Sequence, residues 1–175
     1  MRLYTGLRAA AFLAFGLLFT FSQQHGPTWA VTQLFSFGIC LVIANLLPAA
    51  LNKRRSEYRS MATLWIPELL LASGMVFAAA MNPFGNEGGT YGYYVQLVSI
   101  WGFLNFANAS YQAFAWRKDR LRRIDSVIAA GINLALGTLF AFAPLGAIPA
   151  VGFAGAYFVV VGVLLGISAA SVNNA

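Results

Sequence analysis

The sequence predicts an all-α polytopic membrane protein, with six transmembrane helices arranged as three hairpins and both termini cytoplasmic. Three observations carry this. Of 175 residues, 59% are apolar and 9% charged, whereas soluble domains carry about a quarter charged residues. Six stretches approach the roughly 20 apolar residues needed to cross a hydrocarbon core about 30 Å thick. Eight of the eleven Lys and Arg fall in two short clusters, Lys53-Arg54-Arg55 and Arg117-Lys118-Asp119-Arg120-Leu121-Arg122-Arg123, and short loops rich in these residues stay in the cytoplasm.

The elements follow in order within one transmembrane domain, residues 1–175. Arg2, Arg8 and the apolar run after them look like a secretion signal. No small-x-small cleavage site follows, because the next residues are Phe21-Ser22-Gln23-Gln24, so 4–21 reads as a retained first helix. Gly26-Pro27 turns the chain into a second helix over 30–51. The basic segment 52–60 precedes a third helix over 61–81. Asn82-Pro83 and Gly88-Gly89 mark an outer loop over 82–93, ahead of a fourth helix over 94–116. The second basic loop, 117–123, leads to a fifth helix over 124–143. Pro144-Leu145-Gly146 makes a tight turn into a sixth over 148–170. The three Gly/Pro turns carry no basic cluster and face outward. Trp29, Tyr91, Tyr93 and Tyr94 gather at the outer boundary, and Tyr4, Tyr58, Trp65 and Trp116 at the inner one, where amphipathic rings settle. The chain is therefore placed in the cell membrane, inner or plasma, as a multi-pass protein.

Several function classes are disfavoured. No connection is long enough to hold a soluble domain. The net charge of +6 lies in loops and at the N-terminus rather than on one folded face, so no nucleic-acid partner is expected. His25 and Cys40 are the single histidine and cysteine, too far apart in depth for a zinc site. Neither a nucleophile elbow nor a phosphate loop is present. Asp119, Asp125 and Glu57 read as partners within charged loops. No catalytic residue, metal or cofactor is expected.

The hairpins resemble one another. Their first helices carry Phe15-Gly16-Leu17-Leu18-Phe19, Ser73-Gly74-Met75-Val76-Phe77 and Leu136-Gly137-Thr138-Leu139-Phe140. Their second helices carry Phe37-Gly38-Ile39, Trp101-Gly102-Phe103 and Ala154-Gly155-Ala156. Glycine permits the close backbone approach on which helix association in lipid depends. Glycine-bearing hairpins joined by outer turns with proline resemble the HdeD family of small six-helix acid-resistance membrane proteins. The resemblance covers nearly the whole chain. It departs in the polar first turn, Gln23-Gln24-His25, and in the long second outer loop. It implies an integral membrane protein associated with stress resistance and little mechanism.

Ionisable and amide groups inside the spans are the candidate site. Glu68, after Pro67, lies about 10 Å into the third helix and Arg8 about 6 Å into the first, at 1.5 Å per residue. The two either pair, or Arg8 snorkels to the interface. Pro67 either kinks the third helix or starts it, and in the second case Glu68 occupies the first turn, where the helix dipole favours a carboxylate. Trp101, Asn105, Asn108 and Gln112 share one face of the fourth helix, with Asn45 and Asn133 at comparable depth. Two readings stand: hydrogen bonding between helices, or a cytoplasm-facing polar cavity for a small solute, proton or lipid headgroup. Gly162, Gly166, Ala10 and Ala14 are candidate helix-packing positions, within the chain or against a partner.

Expected partners are the lipid bilayer and either a homo-oligomer or a larger membrane complex. The expected function is a non-enzymatic accessory or stress-related subunit working through helix contacts. The alternative is a small-solute transporter, channel or membrane-embedded substrate-binding subunit with its site around Glu68. Six helices with both termini inside also suit the substrate-binding components of vitamin importers, and Ala10-x-x-x-Ala14 is similar to their docking helix.

Overall fold

The computed structural model describes residues 2–51 and 62–171. The cluster Lys53-Arg54-Arg55, with Glu57 and Tyr58, lies outside the described residues. Six helices occupy them: α1 (Arg2–Phe21), α2 (Pro27–Leu51), α3 (Ala62–Ala80), α4 (Glu87–Ala115), α5 (Arg120–Phe142) and α6 (Ala147–Ser171). Four stretches, Leu3–Phe21, Pro27–Pro48, Arg120–Phe142 and Ala147–Ala170, are long and apolar enough to cross a membrane. The apolar part of α3, Trp65–Ala80, is shorter. The outward surface is apolar. Phe142 is 82% exposed, Phe21 77% and Leu121 74%. Contiguous apolar surface of this kind suits lipid rather than water.

The two largest boundary differences from the sequence expectation both arise through capping. The 82–93 segment is mostly not a loop, since α4 begins at Glu87. Asn86 is its N-cap, and its Oδ1 accepts from the Gly89 amide at 2.7 Å. Gly88 and Gly89 therefore belong to a first turn, where Glu87 complements the helix dipole. Gly89 has a packing reason as well: an added Cβ would lie 2.6 Å from the Phe84 ring. Similarly, half of the second basic cluster is helical. Asp119 caps α5, accepting from the Arg122 amide at 3.2 Å. Asn86→Ala is expected to lower stability by about 1 kcal/mol; thermal unfolding in detergent measures it.

The hairpins do not pack as hairpins. The closest pairs are α4 with α5, α1 with α6, and α2 with α3. Each joins the second helix of one hairpin to the first helix of the next, and α1–α6 closes the ring. Glycines explain why. A Cβ on Gly38 would lie 3.2 Å from the Val76 nitrogen and 3.3 Å from the Ala72 carbonyl. On Gly102 it would lie 2.6 Å from the Gly137 nitrogen and 3.1 Å from the Asn133 carbonyl. On Gly155 it would lie 3.0 Å from the Thr20 nitrogen. The second-helix glycines thus occupy equivalent contacts in all three hairpins. The first-helix glycines do not: Gly16 meets Gly155 and Val159, Gly137 meets Gly102 and Phe103, and a Cβ on Gly74 would meet nothing.

The residues before those glycines, Phe37, Trp101 and Ala154, are all buried. They face the middle of the bundle, where aromatic rings fill the core. Phe37 lies 4.5 Å from Phe158, 4.9 Å from Phe12 and 6.2 Å from Trp101, centroid to centroid. Most such pairs meet edge to face, the arrangement the ring quadrupole favours.

Candidate functional site

Polar side chains inside a helix of low surrounding polarity first satisfy themselves on their own backbone. Thr20 donates to the Gly16 carbonyl at 2.8 Å, Ser126 to Arg122 at 2.9 Å, and Asn133 Nδ2 to Ala129 at 2.8 Å. Asn105 Nδ2 does the same with Trp101 at 2.8 Å. These bonds, one turn back along the same helix, leave few groups to reach across.

Among the groups that do reach across, an ion pair and two hydrogen bonds gather toward one end of the bundle, near the α4–α5 connection. Arg8 on α1 forms an ion pair with Glu68 on α3. The side chains are 14% and 12% exposed, so Arg8 stays inside rather than snorkelling. Its Nη1 also donates to the Tyr4 hydroxyl at 3.4 Å. Gln112 Nε2 on α4 donates to Glu68 Oε1 at 3.1 Å. Both Glu68 oxygens are therefore engaged. The Tyr157 hydroxyl on α6 donates to Asn133 Oδ1 on α5 at 2.6 Å.

Pro67 lies inside α3, and the helix has no acidic residue in its first turn. The option in which Pro67 starts the helix is corrected: Glu68 is held by Arg8 and Gln112, not by a helix terminus.

These residues wall a cavity of about 320 Å³, within the range of roughly 300–1,000 Å³ that small-molecule sites occupy. Arg8, Glu68, Asn105, Asn108, Gln112 and Asn133 all line it. At its rim, Arg122 stacks over the Trp116 ring, 4.5 Å from guanidinium carbon to centroid, and pairs with Asp119 at 3.2 Å. Asp125 and Ser126 complete that rim.

Asn45 is corrected. It is buried, its Nδ2 donates to the Leu41 carbonyl at 2.7 Å, and it does not line the cavity. The rotation of α2 that points Phe37 at the core directs Asn45 elsewhere. Conversely, Tyr157 lines the cavity and sequence reasoning passed over it. The available signal was a tyrosine in the middle of a span, away from either interfacial belt. Of the packing candidates, Gly162 meets Leu13 of α1, with an added Cβ 2.9 Å from the Leu13 nitrogen. A Cβ on Gly166 would meet nothing, and Ala10 and Ala14 are exposed. These three are not contacts within the chain.

Among the described residues, no three His, Cys, Asp or Glu side chains come together as a metal-ion group would require. Comparison with known proteins found no matching family model, no matching curated protein and no matching solved structure.

Proposed function

We propose that this chain is a six-span integral membrane protein with both termini on the cytoplasmic side, and that it binds a small polar ligand or headgroup in the cavity around Glu68. The carrying observation is the cavity itself: an ion pair and four amide side chains from two helices, α4 and α5, around an open space of about 320 Å³. Packing alone would fill such a space with apolar side chains, since polar groups within a membrane are costly. Binding fits better than catalysis, because both oxygens of Glu68, whose side chain is 12% exposed, are held by Arg8 and Gln112.

Cysteine accessibility tests this. Cys40 is the single cysteine, so Cys40→Ala gives a blank background. In vesicles of choline-headed lipid, Asn105→Cys is expected to react with a membrane-impermeant thiol reagent added from the side of Arg120. A lipid-facing control, Ile43→Cys, should stay unlabelled. An unreactive Asn105→Cys would mean a dry interior and no binding site.

A second reading, an accessory subunit docked through helix faces, draws on the exposed Ala10 and Ala14 and on the open space at Gly166. The stress-related role implied by the hairpin resemblance attaches to this reading. Ala10→Leu together with Gly166→Leu is expected to convert an oligomer or complex to monomer in mild detergent. A wild-type chain already monomeric, with nothing co-purifying, removes that reading.

A further inference from the structure

Asn108 borders two spaces at once. One is the polar cavity. The other is an open groove of about 410 Å³ between α3 and α4, lined by Pro67, Leu70, Leu71, Leu104 and Tyr111. Leu70 is 66% exposed, and Leu104 and Tyr111 49% each, so the groove faces the surroundings of the bundle. It is more apolar than the cavity, whose wall mixes the polar groups named above with Phe12, Ile128, Val161 and Leu164. Asn108 is the residue common to both walls.

The α3–α4 pair is also among the looser neighbours in the bundle. It is held at its outer end by Tyr93 donating to the Ala78 carbonyl at 2.5 Å, and at its inner end by Gln112 and Glu68 at 3.1 Å. The groove opens between these two ties, closer to the inner one.

Two buried atoms specify what would complete the site. Arg8 Nε is a donor, and Asn108 Oδ1 an acceptor, with no hydrogen-bond partner among the described residues. A buried unpaired polar atom carries a desolvation penalty that a ligand removes by pairing with it. Both atoms are shielded in this conformation, and a ligand that offers an acceptor to Arg8 Nε and a donor to Asn108 Oδ1 relieves both once small side-chain rotations turn them toward the cavity. Such a ligand must also be neutral overall, because Glu68 already neutralises Arg8 and an added net charge would be buried unpaired.

We propose that the occupant is a lipid-like amphiphile. Its net-neutral, donor-bearing headgroup sits in the polar cavity, and its acyl chain leaves through the α3–α4 groove past Asn108. An ethanolamine phosphate headgroup has this chemistry: ammonium N–H groups for Asn108 Oδ1 and phosphate oxygens for the guanidinium. A choline headgroup has the same net charge and no N–H donor. Entry is lateral, from the bilayer, and rotation of the Asn108 side chain joins the two spaces. This proposal rests on the cavity being a binding site, as read above.

The test uses the full chain carrying Cys40→Ala and Asn105→Cys. Labelling at Asn105→Cys is compared in vesicles of choline-headed lipid and in vesicles containing ethanolamine-headed lipid. Headgroup occupancy should slow labelling about ten- to hundredfold in the second, the factor one hydrogen bond to a charged group supplies. Asn108→Leu should abolish the difference, and so should Leu70→Trp, which fills the groove without touching the cavity wall. Ile43→Trp, an equally large change on α2 away from the groove, should preserve it. Retention of ethanolamine-headed over choline-headed lipid on the detergent-purified protein, read by native mass spectrometry, should follow the same pattern. Equal labelling rates in the two vesicles, or slowing that survives both Asn108→Leu and Leu70→Trp, overturn the lipid assignment while leaving a polar cavity in place. Absence of labelling in choline-headed vesicles removes the cavity reading itself.

Discussion

Glu68→Ala is expected to destabilise the protein by about 3–5 kcal/mol, the cost of leaving a buried charge without its partner. The Arg8 guanidinium lies among α1, α3 and α4 with only 14% of its side chain exposed, and Glu68 is its ion-pair partner. Removing the carboxylate also frees Gln112 Nε2, which donates to Glu68 Oε1. The loss comes from desolvation, not from the strength of the pair. The double change Arg8→Met with Glu68→Leu should therefore recover most of the stability, because an apolar replacement of both members is often neutral or stabilising. Unfolding of Glu68→Ala, the two single changes and the double variant in the same detergent decides this. If the double variant costs the sum of Arg8→Met alone and Glu68→Leu alone, the two groups are not coupled and the site is wrongly drawn.

The second large effect concerns helix spacing. Gly102→Ala should cost about 1–3 kcal/mol, the range for overpacking a close contact. Its Cβ would lie 2.6 Å from the Gly137 nitrogen and 2.8 Å from the Gly137 Cα. Both are backbone atoms, so relief requires α4 and α5 to move apart. Gly38→Ala should cost less. Its nearest neighbour is the Val76 side chain at 2.8 Å, with backbone atoms at 3.2 Å and beyond, and a side chain can turn aside. Gly131→Ala should be neutral or stabilising, because a Cβ there meets nothing and alanine is the better helix former. Unfolding measurements should reproduce the order Gly102, Gly38, Gly131. Equal effects at all three would mean that helix propensity, not close approach, governs these positions.

These contacts also explain why the polar cavity was only partly legible beforehand. A carboxylate and an arginine at similar depth, and amides at helical spacing on one face of α4, marked Arg8, Glu68, Asn105, Asn108 and Gln112 from the sequence alone. Asn45 and Tyr157 depend on something else, namely how far each helix is turned about its own axis. For α2 and α6 almost every side is apolar, so the sequence pattern carries little rotational information. Gly38 against α3 and Gly155 against α1 set that rotation. They point Phe37 and Tyr157 inward and direct Asn45 away from the cavity. The first-helix glycines show the same limit. Gly16, Gly74 and Gly137 look equivalent in the sequence, yet Gly74 faces open space.

At the start of α4, local composition and capping point in opposite directions. Gly88-Gly89 has the composition of a turn, but Asn86 caps the helix and Phe84 covers Gly89, so the segment is drawn into α4. A cap one residue before an acidic first turn outweighs two glycines at the start of a helix.

What the sequence by itself determined is the set of elements: few charges and long apolar runs favour helices compatible with lipid, because backbone groups away from water must bond within their own segment. What only the tertiary structure decided is which helices are neighbours and which polar groups meet. Those depend on close contacts of glycine backbone distant in sequence, such as Gly16 with Gly155 and Gly102 with Gly137, and no local pattern encodes the partner across such a gap.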